Sequence, residues 1–126
     1  MIVAKPGKIL LICEFQSWID DLELFAAIFA AAIHDVSHTG TTNNYHIRTR
    51  SDLASLYNDR SVLENHHLSV GFTILNDTSS NILASLTDEQ WFEFRTQVIE
   101  MVLATDMTFH YKHIAEIKDH IMKPNK

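Results

Sequence analysis

One segment of the sequence joins an apolar helix to a group of polar side chains: residues 29–40, which read FAAAIHDVSHTG. The apolar run ends at His34-Asp35, a second histidine follows at His38, and Gly40 ends the segment. Upstream, apolar residues recur at three- and four-residue spacing, which predicts a helix; they are Leu22, Phe25, Ala26, Phe29 and Ile33. Because its other faces are also apolar, we expect this helix to be buried among other helices.

The composition narrows the class of protein. At 126 residues with 46% hydrophobic residues, the chain suits one compact domain or a piece of a larger one. The net charge is −6 and the basic residues are scattered, which argues against a nucleic-acid partner and gives no sign of a membrane partner. A lone cysteine, Cys13, fits a reducing compartment. No stretch reaches the ~18 apolar residues of a membrane span, so we expect a cytoplasmic protein.

Two capping boxes predict further helices. Ser61-Val62-Leu63-Glu64 should begin a helix that runs to about Asn76, and Thr87-Asp88-Glu89-Gln90 a helix that ends at Leu103 or Ala104. A final amphipathic helix is expected from about Phe109. Strand-like alternation is absent, so the predicted fold class is all-α. Residues 1–16 match no pattern and are left unassigned, whereas residues 17–126 are expected to form one helical unit.

The His34-Asp35 pair allows two interpretations. Imidazole suits zinc and a carboxylate suits a harder ion such as magnesium, and a buried aspartate needs a cation or hydrogen bonds to compensate it. Alternatively, the pair is a helix end at which His34 meets the helix dipole and Asp35 begins a turn; taken alone, the pair favours this second interpretation. His38 is then either a ligand or a neighbouring hydrogen-bonding group.

Two other groups of polar residues also allow two interpretations each. Glu64 can complete the capping box or orient a metal-bound water or an imidazole, and its spacing alone favours the cap. Beside it, His66 and His67 can pack or meet solvent. Thr105 and Asp106 end the long helix either as the polar floor of a pocket or as a simple helix stop with Asp106 in solvent.

The combination of these groups is more specific than any one of them. Residues 34–43, HDVSHTGTTN, fit the His-Asp-x-x-His-x-Gly-x-x-Asn pattern of the class I cyclic nucleotide phosphodiesterases. Residues 61–67, SVLENHH, and 102–107, VLATDM, resemble two further signatures of that family, in the same order. The run 39–67 is most similar to the calcium/calmodulin-dependent subfamily, with the cAMP-specific subfamily a near neighbour. The resemblance covers about residues 20–121.

The resemblance implies a multi-helical, HD-type phosphodiesterase domain that holds zinc and magnesium (or manganese) and hydrolyses cAMP or cGMP to 5′-monophosphates. It makes His34 a zinc ligand and Asp35 a ligand shared by both metals and adjacent to the substrate. The group around the magnesium and its waters would be His38, Glu64 and Thr105. Met107 would line the nucleotide pocket. A homodimer, and calmodulin for the full-length protein, are the implied partners besides the cyclic nucleotide.

Several family features are missing from the sequence. A His-Asn-x-x-His motif, with the proton-donating histidine and another zinc ligand, should precede residue 20; a last zinc-binding aspartate, a purine-holding glutamine and a clamping phenylalanine should follow residue 126. The resemblance therefore implies a partial domain without a catalytic acid, which we expect to be poorly active alone because zinc normally needs three protein ligands. The alternative is a non-catalytic form that binds complete subunits. A different His-Asp hydrolase fits the two later signatures less well.

Overall fold

The computed structural model describes residues 19–77, 79–109, 114–115 and 118–119. Within these ranges the protein consists of helices and turns, without a strand, so the predicted all-α class is confirmed for them. The elements are α1 (Asp21–Ile33), α2 (Asn43–Thr49), α3 (Asp52–Leu56), α4 (Val62–Asn76), α5 (Asp88–Leu103) and a 3₁₀ helix (Met107–Phe109). The unassigned segment 1–16 lies outside the described residues. So does most of the predicted final helix, of which residues 114–115 and 118–119 are described and helical.

The core forms where α1, α4 and α5 meet. Phe94 of α5 is completely buried, and its ring lies 5.3 Å from that of Phe25 and 5.5 Å from that of Phe29 (centroid distances). Phe29 also reaches Phe72 of α4, at 6.0 Å. Tilted aromatic pairs at such distances add to the free energy of burial. This aromatic cluster fixes α1, and with it the position of the His34-Asp35 pair at the end of the helix.

Helix α1 buries one face only. Ala26, Ala30 and Ile33 are buried, but Ile28 on the other side is 60% exposed. Within the described residues, the burial expected for this helix is therefore found on one face only. The small residues Ala26 and Ala30 instead form the face that packs into the core.

Local capping explains where α1 and α5 begin. Asp20 accepts a hydrogen bond from the Glu23 backbone N–H at 2.8 Å, and Glu23 accepts from the Asp20 N–H at 3.0 Å. Thr87 and Gln90 do the same for α5, so the capping box predicted there is confirmed. These reciprocal bonds satisfy donors that a helix leaves unpaired in its first turn.

Helix α4 begins differently, and the capping box predicted at Ser61–Glu64 is wrong. Ser61 has left-handed backbone angles (φ 40°, ψ 53°) and its side chain makes no cap hydrogen bond. Its hydroxyl donates to Asp106 instead, at 2.8 Å. Glu64 accepts a hydrogen bond from Asn43, at 2.9 Å. Both ends of the expected box therefore have partners that are distant in sequence.

Gly71 allows α4 to pack closely on the end of α1. A Cβ at this position would lie 2.8 Å from Cδ1 of Ile33 and 3.2 Å from its Cβ and Cγ2. We expect Gly71→Val to lower the free energy of unfolding by roughly 1–3 kcal/mol, because the added methyl groups overfill a packed contact. Urea denaturation measures this loss. Thr73→Val, on the exposed side of the same helix, is the control, and an equal effect of both variants would contradict the packing explanation.

Among the described residues, no helix combines the length and apolar character that crossing a membrane requires.

Candidate metal centre

The end of α1 places an imidazole beside a carboxylate. His34 Nδ1 donates to the Ala31 carbonyl oxygen at 2.8 Å, so the neutral ring keeps a lone pair on Nε2. That Nε2 lies 3.3 Å from Oδ2 of Asp35. Two lone pairs at this distance repel each other unless a proton or a metal cation lies between or beside them. The side chains are 47% and 69% exposed, so the sequence argument from a buried aspartate is wrong. The donor geometry nevertheless suits a cation.

A second group of donors includes the same carboxylate. One ligand atom each of Asp35, His38 and His67 lies within 4.8 Å of the others. The rings of His38 and His67 stack with their centroids 5.6 Å apart and their planes 23° from parallel. Asp35 and His38 are exposed, whereas His67 is only 2% exposed. The turn after α1 thus brings Asp35 to a histidine from its own turn and to one from α4.

Two consecutive histidines of α4 bind the turn that carries Asp35. His67 Nδ1 donates to the Val36 carbonyl oxygen at 2.7 Å, which leaves the Nε2 of a neutral ring free to accept. The His66 ring makes a hydrogen bond to the Ser37 backbone carbonyl. Burial lowers the pKa of His66 and the neighbouring His67 lowers it further, although the bond to Ser37 raises it. The net pKa of His66 lies below its ordinary value, which favours a neutral ring at pH 7.

His38 has a different proton arrangement. The backbone N–H of Gly40 donates to Nδ1 of His38 at 2.9 Å, so a neutral ring must carry its proton on Nε2. Gly40 itself has φ +76°, a left-handed conformation that glycine adopts without strain. The outward nitrogen of His38 is therefore a hydrogen-bond donor, unlike those of His34 and His67.

Asn43 holds Glu64 beside this group. Its Oδ1 accepts from the Leu63 backbone N–H at 2.8 Å and its Nδ2 donates to Glu64 Oε2 at 2.9 Å. Asn43 therefore caps α4 in place of Ser61. Since Glu64 is not engaged in a capping box, its carboxylate is free for the second of the two roles that the sequence left open.

A cleft of about 420 Å³ brings four of the predicted site residues together: His38, Glu64, Thr105 and Met107. Met107 is 68% exposed and Thr105 donates its hydroxyl to the Val102 carbonyl at 2.7 Å. His34 does not line this cleft. It lines a smaller cavity of about 190 Å³, and Thr105 borders both. Asp35 lines neither of them.

Asp106 is a buried carboxylate at the edge of the same cleft. It is 5% exposed and accepts from the Ser61 hydroxyl at 2.8 Å and from the Thr108 backbone N–H at 2.9 Å. Burial raises its pKa, but the bonds from Thr108 and Ser61 outweigh burial and hold the pKa below the ordinary value. The alternative of a solvated Asp106 is therefore wrong, and this carboxylate lines the cleft together with Thr105.

Comparison with known proteins identifies the family. The family model of the 3′5′-cyclic nucleotide phosphodiesterases matches residues 7–126. The chain belongs to this family. The match takes in residues 7–16 of the segment that the sequence analysis left unassigned.

Calcium/calmodulin-dependent phosphodiesterases are among the proteins to which this chain is similar. The dual specificity calcium/calmodulin-dependent 3′,5′-cyclic nucleotide phosphodiesterase 1C of Mus musculus is 59% identical over 109 residues, which are 86% of this chain and 15% of that protein. The corresponding phosphodiesterase 1B of Bos taurus is 54% identical over 100 residues, which are 79% of this chain and 19% of the relative. The chain thus spans less than a fifth of the length of these relatives.

A solved phosphodiesterase structure shares the fold. The phosphodiesterase domain of the RhoPDE fusion protein from the choanoflagellate Salpingoeca rosetta has a TM-score of 0.78 and 40% identity. The similarity covers 80% of this chain and 32% of that one. The predicted helical phosphodiesterase fold is therefore confirmed, as a part of the domain.

In this member of the phosphodiesterase family, Asp106 is expected to stabilise the fold only while it is ionised. Its lowered pKa means that its contribution is complete above the ordinary aspartate pKa of about 4 and is lost as the pH falls through the folded-state value. Asp106→Asn should lower the free energy of unfolding near neutral pH by roughly 1.5–3 kcal/mol, the range for hydrogen bonds to charged groups. The difference from wild type should shrink on acidification. Urea denaturation from neutral to acid pH measures this, with the exposed Asp88→Asn as control; a constant difference would contradict it.

His67 and Asn43 lie beside the site but are not among the site residues predicted from the sequence. His67 lies four residues from both Leu63 and Gly71, so helical spacing puts all three on the buried face of α4. That position was a usable signal, since a polar residue on a buried face needs a partner. Asn43 offered no local signal for its contact, because its partners Leu63 and Glu64 are about twenty residues away.

Proposed function

We propose that this chain contributes part of a metal-dependent site that hydrolyses 3′,5′-cyclic nucleotides to 5′-nucleoside monophosphates. The observation that carries the proposal is the position of the Asp35 carboxylate beside His34 at the end of α1 and close to His67 of α4. Neutral His34 and His67 rings both keep a lone pair on Nε2. A cleft lined by Glu64, Thr105 and Met107 adjoins it at His38. The family membership supports the substrate class.

The donor set fits divalent metals. His34 offers an imidazole lone pair to a zinc ion, and Asp35 offers oxygens that suit both zinc and magnesium or manganese. We assign His34 to zinc and Asp35 to both ions. When bound, two such ions supply positive charge to the attacking and leaving oxygens of a phosphoryl transfer.

The surrounding residues have complementary hydrogen-bonding roles. His38 presents an N–H, so it donates to a water or a substrate oxygen rather than binding metal. Glu64 uses Oε2 for Asn43, and among the described contacts Oε1 has none, so it can accept from a water. Thr105 adds a hydroxyl oxygen between the two cavities. Met107 gives the cleft an apolar, exposed wall for the nucleotide.

The relatives suggest the setting of this activity. The two relatives are named as dual-specificity enzymes that depend on calcium and calmodulin. We propose cAMP, cGMP or both as substrates, calmodulin control of the full-length protein and a cytoplasmic location. A homodimer is a further proposal.

The test combines metal analysis with hydrolysis. The purified chain is titrated with Zn²⁺, Mg²⁺ and Mn²⁺ by calorimetry, and cAMP and cGMP turnover is measured on the same samples. We expect metal binding with little turnover, because His34 and Asp35 are two zinc ligands where a catalytic site uses three. Absence of metal binding would refute the proposed site. Rapid turnover with stoichiometric zinc would refute its partial character.

A second candidate function is binding to complete phosphodiesterase subunits without catalysis. The exposed side of α1 supports it, since Ile28 is 60% exposed on a helix whose neighbouring residues are mostly apolar. Size-exclusion chromatography with a full-length phosphodiesterase tests it. A joint peak that Ile28→Glu abolishes is expected; separate elution at micromolar concentrations would exclude this function.

A further inference from the structure

His46 is a buried histidine without a place in the proposed site. It lies on α2, is 7% exposed, and has a hydroxyl partner on each ring nitrogen. Nε2 lies 2.9 Å from both Thr39 Oγ1 and Thr41 Oγ1, and these two hydroxyl oxygens are 2.7 Å apart. Nδ1 lies 2.9 Å from Ser51 Oγ. A buried imidazole with such partners is fully satisfied, so its position is strongly determined.

The Ser51 side of His46 is anchored to regular structure. Ser51 caps α3, where its hydroxyl oxygen accepts from the Ala54 backbone N–H at 3.2 Å. Its own backbone N–H donates to the His46 carbonyl oxygen at 3.1 Å. His46 is thereby fixed both by α2 and by the beginning of α3.

The threonine side of His46 holds the loop around Gly40. Thr39 and Thr41 flank Gly40, and a Cβ placed on Gly40 would meet no atom within 4 Å. Packing at Gly40 therefore does not fix the loop there. Yet the backbone N–H of Gly40 must point at Nδ1 of His38 to make their 2.9 Å hydrogen bond. The hydrogen bonds of the flanking threonines to His46 provide that orientation.

We propose that His46 is a positioning residue for His38, acting through Thr39, Thr41 and the Gly40 N–H. By holding the loop, it keeps the His38 proton on Nε2, the nitrogen that can face the cleft. The inference rests on the proposed function in one respect: the Nε2 proton of His38 is there to be donated within the site. The arrangement itself can be measured without any hydrolysis.

The test is the tautomer of His38 in the ¹⁵N-labelled chain. Long-range ¹H–¹⁵N correlation spectra at about pH 8.5, where histidine rings of ordinary pKa are neutral, distinguish protonation on Nδ1 from that on Nε2. We expect a single Nε2–H form in the wild type. His46→Leu, which removes both sets of bonds, should give a mixture of tautomers. His46→Gln, which keeps an amide near the position of Nε2, should restore the single form.

Controls separate this role from general loss of structure. Arg48→Leu, an exposed change on the same helix, should leave the His38 signals unchanged. If His46→Leu does not fold, as judged by circular dichroism, the double variant Thr39→Val, Thr41→Val decides, because it keeps His46 and removes only the loop contacts. A single Nε2–H form of His38 in folded His46→Leu, or in the folded double variant, would overturn the proposal. A wild-type chain with that form but no metal binding would contradict the proposed function alone.

Discussion

Replacing Phe94 with alanine is expected to lower the free energy of unfolding by about 3–5 kcal/mol, the usual cost of emptying a buried aromatic site. Phe94 is completely buried and contacts the rings of Phe25 and Phe29 on α1. A rigid core closes only partly around the space left behind. Because domains are stable by about 5–15 kcal/mol, this loss is a large share of the total. Urea denaturation followed by circular dichroism measures it.

Phe92→Ala is the matched control for this change. Phe92 lies two residues away on the same helix but is 64% exposed, so its removal empties no core site. We expect a change within about 0.5 kcal/mol for this variant. Similar losses from both variants would show that α5 does not use the face assigned to it.

Asp35→Asn is expected to weaken metal binding more than about 100-fold. Substitution of a residue that only hydrogen-bonds to a metal ligand typically costs about 10–100-fold, and Asp35 is itself a proposed ligand. The amide keeps the shape of the side chain but removes the negative charge next to His34 Nε2. It also removes the only carboxylate in the group with His38 and His67. The fold should be unaffected, since this side chain is 69% exposed. Competition with a zinc indicator, and titration with Mn²⁺, measure the affinity.

Asp52→Asn provides the control for charge. Asp52 is an exposed aspartate in the first turn of α3 and belongs to neither group of proposed ligands. It changes the net charge of the chain by the same amount, so a non-specific electrostatic effect would appear in both variants. Zinc affinity of Asp35→Asn equal to that of the wild type would rule Asp35 out as a ligand.

Helix boundaries that depend on neighbouring residues could be predicted from the sequence. Thr87 and Gln90 are three residues apart, and among the described residues no distant group competes for their hydrogen bonds. The Ser61–Glu64 pair has the same spacing but a different outcome. There, Ser61 bonds to Asp106 and Glu64 bonds to Asn43, and neither partner is near in sequence. A local pattern cannot report such competition.

The candidate site also combines residues that can be predicted from the local sequence with residues that only the fold brings together. The pair His34-Asp35 was visible in the sequence because adjacent residues at a helix end stay close. The contribution of His67 depends on how α4 crosses the turn after α1, which spacing along the chain does not reveal. The resemblance to a family placed Glu64 and Thr105 near the site, and the cleft that they share is seen in the structure.

The way α4 begins has a consequence for how the protein folds. Its first turn is held by Asn43 from one side and by Asp106 from the other, and Ser61 adopts a left-handed conformation that costs roughly 1–2 kcal/mol. This first turn is not expected to form before its two distant partners, Asn43 and Asp106, are in place. The nucleation of α4 is therefore expected at its middle or end, with the first turn closing late. Protection of the Leu63 amide from hydrogen exchange would then mark the step at which the fold and the cleft are completed together.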